Sequence, residues 1–345
     1  MSLRLRLYAI VALACVIGLS SMLAGHSAFS APSDQSVSAT APGTNGRIAF
    51  RRYLDHNRTW GAIFVVNSDG TNARQVTRPP RGTIDDFPDW SPKGSLIVFQ
   101  RCSPTAPCAV FTVRPDGTGL KRLSTSSELF SNDSGPSFLP DGRRIVFTRG
   151  SGGVRAYPGG DQVKRSDLVV MDVNGKNRRV LSRAPLYQAD YEYPMFAPDG
   201  ARLVYEHRRS HFADRLTRRA LVVVSANGQR ARRLTPWNLN AGDGADWSPD
   251  GRRILFRSHE DDDEGTQSQL YVVRPDGSDL TQVTRVSAGT LLLSASFSPD
   301  GKWIVYGAAG KNGNADVFAM RADGSGVRPV TKTALWDSAP DWGSG

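Results

Sequence analysis

"ADWSPDGRRILF", Ala245 to Phe256, reads as the end of an aromatic strand, a Ser-Pro-Asp-Gly turn and an apolar strand. The same phrase returns as "PDWSPKGSLIVF" ending at Phe99, "PSFLPDGRRIVF" at Phe147, "PMFAPDGARLVY" at Tyr205 and "ASFSPDGKWIVY" at Tyr306. A second phrase alternates with it: "IFVVNSDGTNARQVT", "VFTVRPDGTGLKRLS", "LVVMDVNGKNRRVLS", "LVVVSANGQRARRLT", "LYVVRPDGSDLTQVT" and "VFAMRADGSGVRPVT". Its glycines, Gly70, Gly117, Gly175, Gly228, Gly277 and Gly324, lie 47, 58, 53, 49 and 47 residues apart. A unit of roughly 50 residues therefore repeats along the chain, and a repeat array of 345 residues can form one body. The hydrophobic content of 39%, with 34 glycines and 21 prolines, suits a globular chain rich in turns and excludes a disordered one.

Each repeat predicts four strands, A to D. In the fifth, Ala245–Ser248 is A, Arg253–Arg257 is B, Leu270–Arg274 is C and Leu280–Thr284 is D. The links "SPDG" and "RPDG" have the residue order of a type I turn whose glycine takes a positive φ, so A–B and C–D are tight antiparallel hairpins. Strands B and C carry near-continuous apolar runs such as "RILF" and "LYVV", whereas a sheet with one wet face would alternate. Both faces of each small sheet must be covered, and four-stranded units stacked around an axis satisfy this. The chain ends are complementary half-units: "APDW" (Ala339–Trp342) is a strand A with nothing after it, and "GRIAF" (Gly46–Phe50) is a strand B with nothing before it. The expected fold is all-β, a six-bladed β-propeller of four-stranded antiparallel blades closed by pairing of the C-terminal strand with the N-terminal blade.

The phrase P-x-[W/F]-S-P-D-G-[K/R]-x-[I/L]-[V/A]-[F/Y], followed by an apolar strand, D-G and [R/K]-x-[L/V]-T, resembles the WD-like repeat of TolB-type periplasmic propellers over about Gly46 to Gly345. The repeat is also similar to those of propellers attached to peptidases and of oligogalacturonate lyases. TolB itself carries an α/β domain ahead of its propeller, so the resemblance is to the propeller alone.

The first residues read differently. Arg4 and Arg6, an apolar run from Leu7 to Leu23 and small residues around Ala28–Ala31 follow the order of a secretory signal, which predicts a signal peptide over 1–30 cleaved near Ser30. The alternative is an uncleaved membrane anchor. Residues 31–45, rich in Pro, Ser and Ala, read as a flexible linker before a propeller over 46–345. Cys15 leaves with the signal; Cys102 and Cys108, six apart, are expected to form a loop disulfide in an oxidising compartment, since they lack the C-x-x-C spacing of a redox or metal pair.

The tight turns share one end of the sheets, so the variable B–C loops and D–A connections share the other, which is the expected binding face. The long segments there are "GSGGVRAYPGGDQVKRSD" after Arg149, "HRRSHFADRLTRR" after Glu206 and "SHEDDDEGTQSQ" after Arg257. An acidic theme is read as preceding each strand A: Asp85 and Asp86, Asp133, Asp190 and Glu192, Asp243, and Asp337. At a channel mouth these carboxylates could hold a cation or the basic groups of a peptide; alternatively each caps its own turn. Tyr187, Tyr191, Tyr193, Trp237 and Trp336 lie nearby as partner anchors or gap fillers.

The net charge of +10 falls to +8 once Arg4 and Arg6 leave. Much of the excess recurs on strand D, as Arg74, Lys121, Arg122, Arg178, Arg179, Arg232, Arg233 and Arg328, where it protects an edge, and its scatter argues against nucleic-acid binding. No G-x-S-x-G elbow is present. His56, His207, His211 and His259 fall in the predicted B–C loops, where the i, i+4 spacing of His207 and His211 does not align ligands, and "HEDDDEG" from His259 lacks a calcium-loop pattern. The expectation is a monomeric secreted or periplasmic scaffold that binds an extracytoplasmic protein or peptide through Asp85, Asp133, Asp190, Tyr191, Glu192, Asp243, Trp336 and Asp337, with no cofactor, metal or nucleic acid. The alternative is a propeller enzyme of carbohydrate lyase or lactonase type with a metal in the channel.

Overall fold

The computed structural model describes residues 43–125, 132–155, 162–182, 190–210, 217–259, 268–287, 289–310 and 313–345. The expected signal, most of the linker, Tyr187, His211 and the acidic tip after His259 lie outside these residues, as does the side chain of Asp190. Among the described residues there is no α-helix, and no helix is long and apolar enough to cross a membrane.

The strands pair antiparallel in groups of four; two groups stand as separate sheets, and the other four join two by two into eight-stranded sheets through single parallel pairs, Gly61↔Ile84 and Ser166↔Asp190. The first group holds β1 (Asn45–Tyr53), β2 (Gly61–Val66) and β3 (Arg74–Gln75). The second holds β4 (Ile84–Trp90), β5 (Ile97–Ser103), β6 (Ala106–Val113) and β7 (Lys121–Arg122). The third is β8 (Asn132–Phe138), β9 (Arg144–Arg155), β10 (Gln162–Asp172) and β11 (Arg179–Ser182). The fourth is β12 (Asp190–Phe196), β13 (Arg202–Ser210), β14 (Thr217–Ser225) and β15 (Arg232–Arg233). The fifth is β16 (Ala241–Trp247), β17 (Ile254–His259), β18 (Ser268–Val273) and β19 (Thr281–Gln282). The sixth is β20 (Leu291–Phe297), β21 (Trp303–Ala309), β22 (Ala315–Arg321) and β23 (Arg328–Pro329). The last strand, β24 (Asp337–Ser344), pairs antiparallel with β1 through Ile48↔Trp342 and Arg52↔Asp337, which completes the first group with the far end of the chain.

The repeat phrases explain these elements locally. In the A–B turn of the fifth group, the Gly251 N–H donates to Ser248 O at 2.8 Å, and Ser248 Oγ accepts the Arg253 N–H at 2.9 Å. In the C–D turns the aspartate or asparagine before the glycine accepts the second N–H ahead, as Asp69 does from Thr71 at 2.9 Å. The Thr or Ser that ends the second phrase ties strand C to strand D, since Thr77, Ser124, Thr235, Thr284 and Thr331 each accept a strand-C N–H through Oγ at 2.9 Å. Apolar residues of B and C fill the space between neighbouring groups. One cluster joins Ile48, Phe50, Phe64 and Trp342 to Val305 and Val317, and another joins Leu255 and Leu270 to Phe297 and Ile304.

Two expectations are corrected. Strand D is only two residues long in five groups and four in β11, short of the five residues expected in the fifth. The segments after Arg149 and Glu206 are not irregular loops at their bases. Strands B and C continue into them, with Gly150↔Ser166 and Gln162↔Arg155 in the third group and Ser210↔Thr217 in the fourth. The Cys102–Cys108 disulfide is formed and links β5 to β6 across this hairpin, with Cα atoms 4.1 Å apart.

Candidate functional site

The acidic residues lie within the inner strands, not ahead of them. Asp85 pairs with Arg101, Asp133 with Arg149, Asp190 with Arg208, Glu192 with Glu206 and Asp337 with Arg52. A register shift follows each run, between Asp86 and Asp89 in β4 and between Glu192 and Met195 in β12. At the shift the backbone turns left-handed: φ is 50° at Phe87, 54° at Gly135, 50° at Tyr193, 59° at Asp243 and 51° at Ala339. Such a φ is costly for a bulky residue, so Phe87 and Tyr193 hide the bulge from propensity rules that look for glycine.

In three groups the carboxylate meets an arginine two residues beyond the strand-B aromatic. Arg101 Nε and Nη2 donate to Asp85 Oδ1 and Oδ2 at 2.6 and 2.8 Å. Arg149 holds Asp133 at 2.7 and 2.7 Å, and Arg52 holds Asp337 at 2.7 and 2.7 Å. The carboxylates are buried, and the guanidinium groups stack on the blade's own rings, Arg101 at 4.9 Å from the centre of Phe111 and Arg52 at 4.7 Å from that of Phe64. Burial raises the Asp85 pKa, and the Arg101 hydrogen bonds oppose it. These aspartates neither cap their own turns nor stand as bare charges. The signal was F-x-R, present at Phe50, Phe99 and Phe147 and absent at Tyr205, Phe256 and Tyr306.

The equivalent pairs in the other groups are different. Tyr191 faces His207, whose ring meets Tyr191 edge-on at 5.4 Å and Trp237 at 5.3 Å, so His207 sits in strand β13 within an aromatic stack. Beside it, Glu192 pairs with Arg208 at 3.2 Å. The buried Glu206, which the sequence reading passed over, accepts the Asp243 N–H at 2.7 Å and lies 3.3 Å from Arg219 Nε. Asp243 in turn pairs with Arg219 at 3.3 Å and with Arg257. Burial pushes the Glu206 pKa up to about 7 against the pull of Arg219. Trp336 donates to Ser338 Oγ at 3.2 Å and lies under the Arg58 guanidinium at 4.5 Å.

All of the inner strands line one cavity of about 80 Å³. In its lining the rings of Phe87 and Tyr193 pack 5.0 Å apart, and Tyr193 leans over Gly135, where a Cβ would come within 2.9 Å of the ring. Also lining it are Asp89, Asp246 and Asp341, each directly before the tryptophan of its strand-A phrase and with no expected role. Each accepts the N–H of an aromatic residue on a neighbouring inner strand: Asp341 from Trp90 at 2.7 Å, Asp89 from Phe138 at 2.7 Å and Asp246 from Phe297 at 2.6 Å. Ser296 also donates to Asp341 at 3.0 Å. Burial raises the pKa of Asp89 and of Asp341, the latter to about 6. Among the described residues, no three of His, Cys, Asp or Glu are placed to hold a metal ion.

No protein-family model matches the chain. An uncharacterized protein of Agrobacterium fabrum is 30% identical over 144 residues, 41% of this chain and 47% of that protein. Dipeptidyl-peptidase 5 of Porphyromonas endodontalis is 32% identical over 112 residues, 32% of this chain and 15% of that one. The chain thus spans less than half the length of either relative. Among solved structures, TolB from Acinetobacter baumannii superposes with a TM-score of 0.65 at 17% identity, covering 89% of this chain and 68% of that one. An oligogalacturonate lyase in complex with manganese superposes with a TM-score of 0.51 at 15% identity, covering 84% and 75%. At these identities the likeness concerns the fold: the chain has a TolB-like β-propeller fold, shared by binding scaffolds and enzymes alike.

Proposed function

We propose that the chain is an exported, monomeric, six-bladed TolB-like propeller that holds a protein or peptide partner at its loop face and channel mouth, without catalysis. The four-strand groups are the blades, and β24 beside β1 closes the ring. The glycine contacts support closure. A Cβ on Gly117 would lie 2.9 Å from Val76 O, on Gly175 2.7 Å from Leu123 O and on Gly228 2.6 Å from Leu181 O, each in the preceding group. On Gly70 it would lie 2.7 Å from Val330 O, which repeats the contact between the first group and the sixth.

The observation that carries the binding reading is the pair Phe87 and Tyr193, partly exposed aromatic rings on left-handed backbone at the mouth. Strain of this kind concentrates where a site fixes its side chains. The proposed site takes in, as the sequence pattern expects, the Asp85, Asp133 and Asp337 ion pairs and Tyr191, Glu192, Asp190, Asp243 and Trp336. The charges are compensated within the molecule, so the partner is read by aromatic contact and by exchange of hydrogen bonds with these pairs rather than by a bare acidic ring. The Cys102–Cys108 bridge accords with an extracytoplasmic setting.

The test replaces both rings by the residue that tolerates their backbone, Phe87→Gly with Tyr193→Gly. Immobilised wild-type protein and the double variant are compared for capture from envelope extract, alongside thermal melts. Binding is expected to weaken by about tenfold or more with melting changed by only a few degrees. Equal capture by the two proteins would reject the mouth as the binding site.

A further inference from the structure

The strand-D cations do more than guard an edge. Arg74 Nη2 donates to Pro115 O at 2.6 Å and Lys121 Nζ to Asn174 O at 3.2 Å. Arg232 donates from its two Nη groups to Pro275 O and Asp276 O. In each case a cation on strand D reaches the carbonyls of the C–D turn of the following group. Arg328 of the sixth group stacks 5.4 Å from the centre of the Trp303 ring and reaches the first group's turn through its charge, the smallest of the effects on the lowered Asp69 pKa, which the Thr71 hydrogen bonds lead. The corresponding residue of the third group is Arg179, and only in the fifth is there no cation: Thr281 stands there.

At that position the structure leaves a cavity of about 340 Å³. Its lining includes Thr281, Ala322 and Asp323 together with Arg253 and the Arg274–Asp279 ion pair. Thr281 Oγ1 turns back to its own Asp279 O at 3.1 Å, and Gln282 Nε2 donates to Thr284 O at 2.7 Å, so neither crosses the gap. Among the described residues no donor reaches Ala322 O or Asp323 O, the counterparts of Pro275 O and Asp276 O. The groups are not splayed here, since a Cβ on Gly324 would collide with Val283 O. What is missing is a side chain. The two arginines of the lining are balanced in charge by Asp279 and Asp323.

We infer that this cleft is a binding site for a guanidinium group, the side chain of an arginine on a partner, which donates to Ala322 O and Asp323 O as Arg232 does to the turn before it. A guanidinium matches paired acceptors with its planar fork. The volume falls within the range of small-ligand sites. This site lies at the tight-turn end of the sheets, away from the channel mouth, and stands or falls independently of the binding reading there.

The test titrates isotope-labelled protein with N-acetyl-arginine amide and with the uncharged isostere N-acetyl-citrulline amide, following the amide resonances of Thr281, Ala322 and Asp323. Saturable shifts are expected with the arginine probe and about tenfold weaker ones with citrulline. Thr281→Arg fills the cleft from within, so it should abolish the response and raise the melting temperature by a few degrees; Thr281→Lys serves the same purpose if the arginine variant folds poorly. Equal responses to the two probes, no saturable response at all, or undiminished arginine binding in the filled variant would overturn the site.

Discussion

Asp85 shows how a buried carboxylate of an inner strand is held. Its carboxylate is buried, two Arg101 N–H groups reach it, and Arg101 in turn stacks on Phe111, so neither charge has an alternative partner in water. Removing one member strands the other in a low-dielectric setting, and Asp85→Ala or Arg101→Ala should each cost about 3–5 kcal/mol. Replacing both with apolar residues, Asp85→Leu with Arg101→Met, should recover most of that loss. Urea unfolding of the three variants measures it, and a double variant no more stable than the singles would mean that the pair is not a unit. The carboxylates were visible in the sequence as a repeated theme, but their partners were not. The arginine lies 16 positions along the chain from Asp85 and from Asp133, and becomes a neighbour only once the register of A against B is fixed.

That register depends on the inner strand, the element whose extent the sequence concealed. The "P-x-W" phrase marks its second half; the first half runs on past a bulge built on Phe87, Tyr193 and Ala339 rather than on glycine, so Asp85, Glu192 and Asp337 read as connection when they are strand. The hairpin turns, by contrast, were legible because Ser-Pro-Asp-Gly and Asp-Gly state their own geometry. Glycines of the C–D turn carry a second requirement that sequence does not display, close approach to a carbonyl of the preceding group. Gly70 and Gly82 separate the two demands. Both have positive φ, 88° and 78°, yet a Cβ at Gly82 meets nothing within 4 Å, whereas at Gly70 it would lie 2.7 Å from Val330 O. Gly82→Ala should cost about 1 kcal/mol from backbone strain alone. Gly70→Ala should cost about 2–4 kcal/mol, because it also forces the first and sixth groups apart. Equal melting of the two variants would show that Gly70 does not pack against the sixth group, and would remove a main support for the closed ring.

At the scale of the whole molecule, the repeat and the complementary half-units at the two ends were enough to anticipate four-stranded groups and the pairing of β24 with β1. The sequence could not show how the groups share charge at their common axis. Asp89, Asp246 and Asp341 hold neighbouring inner strands together by accepting their N–H groups, and none of the residues lining that cavity is a lysine, arginine or histidine. Deprived of a counter-cation there, Asp341 is pushed by burial up to about 6, and Asp89 is raised as well. Glu206, in β13, is pushed up to about 7 by burial even though Arg219 stands beside it. A carboxyl group whose folded pKa lies above its unfolded one binds protons more tightly in the folded chain. Its stabilising contribution is complete below the unfolded value and is lost as pH rises through the folded one, here between about 4 and about 7. The turn aspartates Asp69, Asp116, Asp276 and Asp323, whose pKa values are lowered by hydrogen bonds from the following Thr or Ser, act in the opposite sense but only below the ordinary carboxylate range. Burial, with Arg209, lowers the His207 pKa, so this ring opposes the carboxylates within the same range. The net expectation is a protein more stable at pH 5.5 than at pH 7.5, by about 1 kcal/mol. Glu206→Gln, which keeps an acceptor for the Asp243 N–H, should flatten the upper part of this dependence and leave the lower part, due to the channel aspartates, in place. Calorimetric melts of both proteins across that range measure it, and a pH dependence that Glu206→Gln leaves unchanged would show that Glu206 does not carry the upper part.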